Sequence, residues 1–280
     1  MNDVLMHQFI QLIWSHTGLR IREQDREALC KKIWARMKFL KLTVPENYYQ
    51  LLQTGKNQRN ALGESLRGEN FHLEYREREW RELTLLLTIG ESYFFRDQGQ
   101  FELLKTHILP ELIEHRKKSR YVEGEAKPSL RIWSAGCSTG EEPYSLAILI
   151  KELIPDCEQW NIVILGTDIN STSIEKAKLG IYDAWSFRMM ERELQRRYFN
   201  QWQTNWKIDD QIRKLVTFRL GNLMKDHFPS LISNIHNVDI LLCRNVFIYF
   251  DAKAISIVLE KFYNTLRPRG YFTGLFHSEW

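Results

Sequence analysis

The sequence lacks the features that mark secreted, membrane-spanning or metal-binding proteins. No apolar run approaches the ~20 residues that a membrane helix needs, and polar residues interrupt residues 1–19, which predicts that they are not a secretory signal. The eight histidines form no pair at the spacing of metal ligands, so we predict no metal site. The cysteines have no CxxC spacing, which predicts reduced, buried thiols in a cytoplasmic protein, at Cys30, Cys137, Cys157 and Cys243.

The composition is typical of a folded globular protein. Hydrophobic residues make up 44% of the 280 residues and charged residues 26%, which argues against disorder. A chain of this length can bury one sizeable core and a smaller second one. The formal net charge of +4 is compatible with a basic face, but it does not by itself indicate a nucleic-acid partner.

Helical periodicity dominates the first part of the chain, and we predict a small all-helical domain over residues 1–87. Its clearest helix runs from Leu29 to Leu40, where apolar residues recur at steps of three and four. Another helix is expected after Pro45, and the polar stretch 55–70 is expected to be a loop.

Residues 88–128 are predicted to connect this domain to a second one. A helix is expected from Gln100 to Lys118, followed by a linker over residues 119–129 that contains Gly124 and Pro128.

After Pro128, strands alternate with helices, which is typical of a parallel sheet. We therefore predict a doubly wound, Rossmann-like α/β domain over residues 129–280, with a small tryptophan-rich subdomain inserted over residues 181–214. Pro143 is expected in the first turn of a helix, Gly180 at the end of the next helix, and Asp251 as the cap of a helix that reaches Leu266. The predicted strands are residues 130–133, 161–165, 215–220, 238–242 and 270–276.

The turn after the first of these strands, residues 134–145, reads SAGCSTGEEPYS. Its glycines allow a sharp turn and a close approach of a ligand to the backbone. A phosphate-binding loop would have further glycines and often a lysine, whereas this turn has Glu141 and Glu142. Two carboxylates repel phosphate and suit a cationic ligand such as S-adenosylmethionine. By itself, a glycine-containing turn is equally compatible with a structural role.

The second strand ends in Gly166-Thr167-Asp168. An acidic residue at this point is well placed to accept hydrogen bonds from ribose hydroxyls. Alternatively Asp168 could cap the following helix, although Asn170 and Ser171 are also available for that role.

These motifs, with TDIN, GNL, CRNVFIYF and the upstream ESYFFRD, resemble the CheR-type chemotaxis protein-glutamate O-methyltransferases. The resemblance covers almost the whole chain, from Leu5 to Glu279, and the order and spacing of the motifs agree. It implies S-adenosylmethionine as the cofactor, S-adenosylhomocysteine as the product, and no metal. It also implies that the substrates are glutamate side chains on the helical cytoplasmic domains of chemoreceptors.

The resemblance further implies which residues form the cofactor site. Glu142 is similar to the family's ligand for the methionine end of the cofactor, and Asp168 matches the ribose-binding aspartate. Asn222 and Leu223 resemble the pair that holds the adenine. The other implied cofactor contacts are Ser92, Arg96, Arg244 and Asn245.

Arg96 and Tyr249 resemble the two residues that the family places near the reacting methyl group, and they are the implied catalytic residues. From pattern alone, Arg96 could equally be a surface charge and Tyr249 a core residue. Ser92 stands where the family usually has threonine. Gly90 stands where the family often has asparagine, and we leave it out of the predicted site.

The helix from Leu29 to Leu40 is the predicted contact with the receptor. No acidic residue interrupts this stretch, and an acidic receptor surface would complement a basic face. The alternative is that the face is merely solvated. The cations expected opposite the apolar stripe are Lys31, Lys32, Arg36 and Lys38.

Two departures from the family bear on partners and on the end of the chain. Some members dock on a receptor's C-terminal pentapeptide through a glycine-bearing loop, but residues 198–215 contain no glycine, which predicts an enzyme that does not need the pentapeptide. The family fold closes with an antiparallel hairpin, yet the sequence stops at Trp280. Either the chain is a segment of a longer protein, or its sheet lacks the last strand.

The sequence leaves two other functions as alternatives. A nucleic-acid methyltransferase would usually carry an Asn/Asp-Pro-Pro-Tyr/Phe motif for an extruded base, where this sequence has Arg244-Asn245-Val246-Phe247. A non-catalytic protein that binds the cofactor or its product would retain the same binding residues, although loss of Arg96 or Tyr249 would then be expected.

Overall fold

The computed structural model describes residues 1–54, 69–123 and 126–274. These described residues fall into two units. The first contains those up to Ile89 together with Tyr249–Ala254, and the second contains those from Gly90 to Ile248 and from Ile255 onward. Within the described ranges, no helix has both the length and the apolar character needed to cross a bilayer.

Several sequence predictions fall outside these ranges. They concern most of the polar stretch 55–70, part of the linker 119–129 with Gly124, and the chain end after Gly274. The domain limits at residues 87 and 128 stay predictions.

The first unit is helical. Helix α1 begins at Asn2, whose side-chain oxygen accepts a hydrogen bond from Leu5 N (2.8 Å), and it ends at Gly18, whose φ of 78° is typical of a helix C-terminus. Its helices are α1 (Asp3–Thr17), α2 (Arg26–Phe39), α3 (Pro45–Thr54) and α4 (Glu69–Leu87).

A buried ion pair lies within the core of this unit. Arg36 on α2 makes two parallel bonds to Glu79 on α4, from Nε to Oε1 (2.9 Å) and from Nη2 to Oε2 (2.7 Å). The Tyr48 hydroxyl donates to the same carboxylate at 2.7 Å. Tyr48 belongs to the buried apolar core of this unit together with Phe9 and Ile33, and Arg36 and Glu79 are themselves buried. Because both charges are desolvated, each depends on the other for its electrostatic stabilisation.

The prediction that Arg36 belongs to a solvent-facing basic face of α2 is therefore wrong. Arg36 follows Ile33 by three positions, so both lie on the same side of the helix, and the long Arg36 side chain reaches Glu79 instead of solvent. Lys31 is exposed but forms an ion pair with Glu27 (2.6 Å). Trp34, which we counted among the recurring apolar residues of the helix Leu29–Leu40, is 41% exposed.

The second unit contains a five-stranded sheet in the order β6-β2-β1-β7-β8, and all four strand pairs are parallel. The sheet confirms the predicted doubly wound α/β fold. Strands β1 and β7 are buried along their whole length, as expected for central strands of a covered parallel sheet. The strands are β1 (Ser129–Ala135), β2 (Asn161–Asp168), β6 (Val216–Leu220), β7 (Val238–Cys243) and β8 (Leu266–Gly274).

The helices of this unit largely follow the prediction. The expected helix from Gln100 to Lys118 is longer and contains one π-helical turn, Leu104–Ile108. Asp251 caps the last helix as expected, since its side chain accepts a hydrogen bond from Ala254 N (2.8 Å). The helices are α5 (Gln98–Leu103), α6 (Leu109–Glu123), α7 (Glu141–Leu153), α8 (Ser171–Leu179), α9 (Arg192–Tyr198), α10 (Asp210–Lys214) and α11 (Ala252–Thr265).

The last strand begins earlier than predicted, at Leu266 instead of Gly270. Leu266 pairs with Val238, and an irregularity then places Tyr271 opposite Ile240. Pro268 lies between these two pairings. Because proline cannot donate a ladder hydrogen bond, it belongs in such an interruption.

A small antiparallel sheet, in the order β3-β5-β4, lies between α8 and β6 in the sequence. Its strands are β3 (Ile181–Tyr182), β4 (Phe199–Trp202) and β5 (Asn205–Ile208). The ring of Phe94 packs edge-on against Tyr182 and Phe199, with centroids 4.9 Å apart in each pair, and stacks on Phe187 at 5.1 Å. The small sheet therefore helps to anchor the segment of residues 90–97.

Replacing Arg36 should strongly destabilise the helical unit. Arg36→Leu leaves the Glu79 carboxylate buried without its counter-ion, which we expect to lower the free energy of unfolding by about 3–5 kcal/mol. Lys38→Leu on the exposed side of α2 is the control and should change it by less than about 0.5 kcal/mol. Urea unfolding followed by circular dichroism measures both. Equal effects would mean that the Arg36–Glu79 pair has no special role.

Candidate active site

Six of the predicted site residues lie at the carboxyl ends of four neighbouring strands or directly after them. Because β1, β2, β6 and β7 are parallel, these ends share one edge of the sheet. The strand order reverses at β1, since β2 and β7 flank it on opposite sides, and ligands bind at such a switch point in open α/β sheets. The residues at this edge are Glu142, Asp168, Asn222, Leu223, Arg244 and Asn245.

The β1–α7 turn has a backbone that only glycine suits at Gly136 and Gly140, with φ of 79° and 93°. A Cβ atom at Gly136 would lie 2.3 Å from Val246 Cγ2. The amides of Gly136 and Cys137 both donate to Thr167 O, at 2.7 and 2.9 Å. The turn is thus folded onto the end of β2, next to Asp168.

The two neighbouring glutamates of this turn have different surroundings. Glu141 is 1% exposed and accepts hydrogen bonds from the hydroxyls of Thr139 (2.6 Å) and Ser186 (3.2 Å), which indicates a structural role. Glu142 accepts from the Ser134 hydroxyl (2.6 Å) and from Arg244 Nη1 (3.1 Å). Its side chain stays 14% exposed. Of the two, Glu142 is therefore the one placed to meet a ligand.

Arg244 is the centre of the charge arrangement at this edge. Its side chain is 2% exposed and lies within salt-bridge distance of Glu142 (3.1 Å) and Asp97 (3.6 Å). Nη2 also donates to the backbone oxygen of Arg96. Arg244 therefore links the end of β7 to the start of α7 and to the segment that carries Arg96.

Asp168 organises the backbone around it. One carboxylate oxygen accepts from Ser138 N and the other from Asn170 N, each at 2.8 Å. Burial raises the pKa of Asp168, and these backbone amides act in the opposite direction. Asn170 caps α8 by accepting from Ser173 N (3.0 Å), so the helix-cap alternative for Asp168 is wrong.

The loop after β6 contains Asn222 and Leu223 and lies beside β2, since Gly221 N donates to Asp168 O (2.9 Å). The Asn222 side-chain oxygen accepts from Met224 N (3.0 Å) and Lys225 N (3.2 Å). This turn fixes the two residues that are the predicted adenine contacts.

Lys261 on α11 holds the same loop and was missed by the sequence analysis. Its ammonium donates to the backbone oxygens of Leu223, Met224 and Asp226, at 2.9, 2.8 and 2.9 Å. Burial lowers its pKa, and the charge of Asp226 opposes that shift. No motif marks this lysine, because its partners are more than 30 residues away.

The segment of residues 90–97 approaches the β1–α7 turn. Arg96 Nη1 donates to Glu91 O (2.9 Å), and Phe95 N donates to the Ser145 hydroxyl (3.0 Å). Ser92 is half-buried in this segment. A Cβ atom at Gly90 would lie 3.3 Å from the hydroxyl oxygens of Ser138 and Ser173, so a side chain there would need its neighbours to move.

Arg188 is a second arginine beside this segment that the sequence analysis missed. Its guanidinium carbon lies 3.5 Å from the ring centroid of Tyr93 and 4.2 Å from that of Trp185. The sequence gives no signal for it, because the stacking depends on a distant segment.

The other two predicted residues are placed as follows. Asn245 follows β7 with a φ of 57° and is half-buried. Tyr249 is the last residue of the short helix Phe247–Tyr249 and is grouped with the first unit. It is 39% exposed, so the alternative that Tyr249 is a core residue is wrong.

The residues present fit S-adenosylmethionine. A partly exposed carboxylate, Glu142, suits an ammonium group, and Asp168 at the end of β2 suits ribose hydroxyls. The Ser138 hydroxyl oxygen and Arg244 Nε are buried, and neither has a hydrogen-bond partner within the described part of the chain. A ligand with polar groups could satisfy such atoms.

Comparison with known proteins agrees with this geometry. Residues 90–279 match the family described as CheR methyltransferase, SAM binding domain. The chain is 35% identical over 200 residues to the chemotaxis protein methyltransferase of Borreliella burgdorferi. The matched residues cover 71% of this chain and 67% of that protein. It is 35% identical to chemotaxis protein methyltransferase 2 of Vibrio cholerae, with 69% and 63% covered. For chemotaxis protein methyltransferase 1 of Pseudomonas aeruginosa the identity is 37%, with 66% and 64% covered. The matches thus span about two thirds of these relatives.

Asp168→Asn should weaken binding of S-adenosylhomocysteine by about 1–3 kcal/mol, because a charged acceptor is lost. Isothermal titration calorimetry measures the affinity. Asn170→Ala is the control, since it removes the cap of α8 and should cost about 1 kcal/mol of stability with little effect on affinity. An unchanged affinity in Asp168→Asn would remove Asp168 from the site.

Lys261→Met should also weaken the binding of S-adenosylhomocysteine, by about 1–3 kcal/mol. The reason is that three backbone oxygens of the loop with Asn222 and Leu223 lose a charged donor. Lys225→Met, an exposed lysine of the same loop, is the matched control and should bind normally. If both variants bind like the wild type, Lys261 does not position the loop.

Proposed function

The chain belongs to the CheR family of S-adenosylmethionine-dependent methyltransferases, and from this premise we propose that it methylates glutamate side chains on the cytoplasmic domains of chemoreceptors. The product would be a glutamate methyl ester that takes part in chemotaxis signalling. The observation that carries the proposal is the position of Arg96. Its backbone is held by Arg244 in the strand-end site, while its guanidinium remains partly exposed to meet a carboxylate.

The proposed reaction requires little proton chemistry. S-adenosylmethionine supplies an electrophilic methyl group on a positively charged sulfur. A glutamate carboxylate is ionised at neutral pH and is already nucleophilic, so the protein does not have to remove a proton. The residues of the site therefore have to bind, orient and exclude water.

Orientation is the role that we assign to Arg96. A guanidinium matches the planar geometry of a carboxylate and can hold it by two parallel hydrogen bonds. Glu91 O and the Tyr93 ring, whose centroid lies 5.3 Å from the guanidinium carbon, restrict the Arg96 side chain. A restricted arginine loses less entropy when it binds, and it favours one approach direction for the nucleophile.

Exclusion of water would add to the rate. The carboxylate and the sulfonium charge neutralise each other during transfer, and water stabilises the separated charges more than the transition state. A site that replaces water by fixed groups should therefore accelerate the reaction. Arg244 and Glu142 form such a fixed pair, and Phe94 anchors the segment beside them. We assign Tyr249 a hydrogen bond that shapes the substrate position.

We also propose that α2 contacts the receptor, but through fewer cations than the sequence predicted. Without Arg36, the remaining cations of this face are Lys31 and Lys38, which are exposed, and Lys32, which is half-buried. We further propose that the enzyme acts in the cytoplasm and without a receptor pentapeptide. A two-residue turn, Gln203-Thr204, joins β4 to β5 and supports this, because it leaves no extended loop between these strands.

The test of the function is transfer of a labelled methyl group from S-adenosylmethionine to purified receptor cytoplasmic domains. We expect label on the receptor that mild base releases as methanol, which identifies an ester. Label that resists base, or label on nucleic acid instead, would contradict the proposal. Cofactor binding without any transfer would indicate a non-catalytic binding protein.

Arg96→Ala should slow methyl transfer much more than it weakens cofactor binding, because its proposed partner is the carboxylate. We expect kcat to fall by about 100-fold, or about 2.7 kcal/mol, with a change in S-adenosylhomocysteine affinity of less than threefold. Single-turnover kinetics and calorimetry separate the two. Equal losses would make Arg96 mainly a cofactor ligand.

A further inference from the structure

Arg188 lies between two aromatic rings. Its guanidinium carbon is 3.5 Å from the centroid of the Tyr93 ring and 4.2 Å from that of Trp185. Nη1 donates to Trp185 O (2.9 Å), and Nη2 forms an ion pair with Glu91 Oε1 (3.1 Å). We call these four residues, Glu91, Tyr93, Trp185 and Arg188, the arginine–aromatic cluster.

The cluster is accessible from solvent. The Arg188 side chain is 21% exposed, its partner carboxylate Glu91 is 61% exposed, and Trp185 is 64% exposed. An arginine that served only the core would have buried rings around it. The exposed Trp185 and the half-buried Tyr93 and Arg188 are instead of the residue types that dominate binding energy at protein interfaces.

The Glu91 carboxylate shows what chemistry the cluster accepts. A guanidinium that is held by two rings has little rotational freedom before a ligand binds. Less entropy is therefore lost when a carboxylate binds to it. The Glu91–Arg188 pair contributes little stability by itself, because Glu91 is largely exposed and solvent screens its charge. Another carboxylate can therefore take the place of Glu91 at small cost.

Arg96 lies on the same Tyr93 ring as Arg188. The distances from the ring centroid to the two guanidinium carbons are 5.3 and 3.5 Å. Glu91 serves both arginines, by its backbone oxygen for Arg96 and by its carboxylate for Arg188. Two cations thus lie near the same ring. On a helix, side chains three or four residues apart have Cβ atoms about 5–6 Å from each other.

We propose that the arginine–aromatic cluster is a substrate-recognition surface, in which Arg188 binds a second acidic side chain of the substrate helix, one turn from the glutamate that Arg96 orients. In the free enzyme the Glu91 carboxylate forms an ion pair with Arg188, and the acidic side chain of the substrate displaces that carboxylate. This inference rests on the proposed function, since it assigns a specificity determinant to that site.

The experiment compares variants on the receptor cytoplasmic domain that serves in the methyl-transfer assay. Arg188→Met keeps much of the apolar stem and removes the guanidinium. We expect the KM for the receptor domain to rise about tenfold, which corresponds to about 1.4 kcal/mol, while kcat and the Kd for S-adenosylhomocysteine change less than twofold. Arg188→Lys should recover only part of the loss, because an ammonium does not stack on the rings as guanidinium does.

Two further variants make the result specific. Arg197→Met is the matched control, because Arg197 is also a partly exposed, ion-paired arginine, bound to Glu152 and Glu193, and it should leave the KM unchanged. Glu91→Gln should lower the KM at least twofold by removing the competing carboxylate. In the Arg188→Met background the same Glu91→Gln change should have no effect on the KM.

The outcomes separate this inference from the proposed function. An unchanged KM in Arg188→Met would overturn the inference, and so would a Kd for S-adenosylhomocysteine that rises by the same factor as the KM. If the wild type methylates no receptor domain, the proposed function fails. The cluster is then tested by calorimetry with a helical peptide that carries two glutamates four residues apart. Failure of the wild type to bind this peptide would also overturn the inference.

Discussion

The buried charge of Arg244 is the interaction on which the site depends. Its guanidinium is almost inaccessible to solvent, so it must be compensated by groups of the protein. The compensating groups are Glu142 at the start of α7 and the Arg96 carbonyl with the neighbouring Asp97 carboxylate. These partners come from segments far apart in sequence. One desolvated cation therefore fixes both the proposed cofactor carboxylate and the segment with the proposed substrate arginine, and neither can move without leaving a charge unpaired.

The surrounding fold makes this arrangement possible. The parallel sheet delivers Glu142 and Arg244 to one edge, because they follow the adjacent strands β1 and β7. The small antiparallel sheet contributes through Phe94, whose ring packs on Tyr182, Phe187 and Phe199. The segment of residues 90–97 is thus held from two sides, by apolar packing at Phe94 and by the arginine at its carbonyl end. A site that works by orientation requires such rigidity.

Most strands and helices, and the residues at the strand ends, could be predicted because they depend on local pattern. The caps at Asn2 and Asp251 are set by their own backbone neighbours. The role of Arg36 could not be predicted, since a helical wheel does not reveal Glu79, a partner 43 residues away. Lys261 and Arg188 were missed for the same reason. In each case a long cationic side chain bonds to a distant segment, and its charge alone resembles that of a solvated residue.

The proposed reaction needs no general base, and this determines what its selectivity depends on. Any exposed glutamate is ionised and chemically competent, so the choice among carboxylates has to come from binding geometry. One arginine cannot distinguish one surface glutamate from another, because each offers the same carboxylate. A second cation at a fixed distance can, since it requires a second acid at the matching position on the same helix face. Arg96 and Arg188, which both lie near the Tyr93 ring, provide that requirement within the unit that carries the proposed cofactor site.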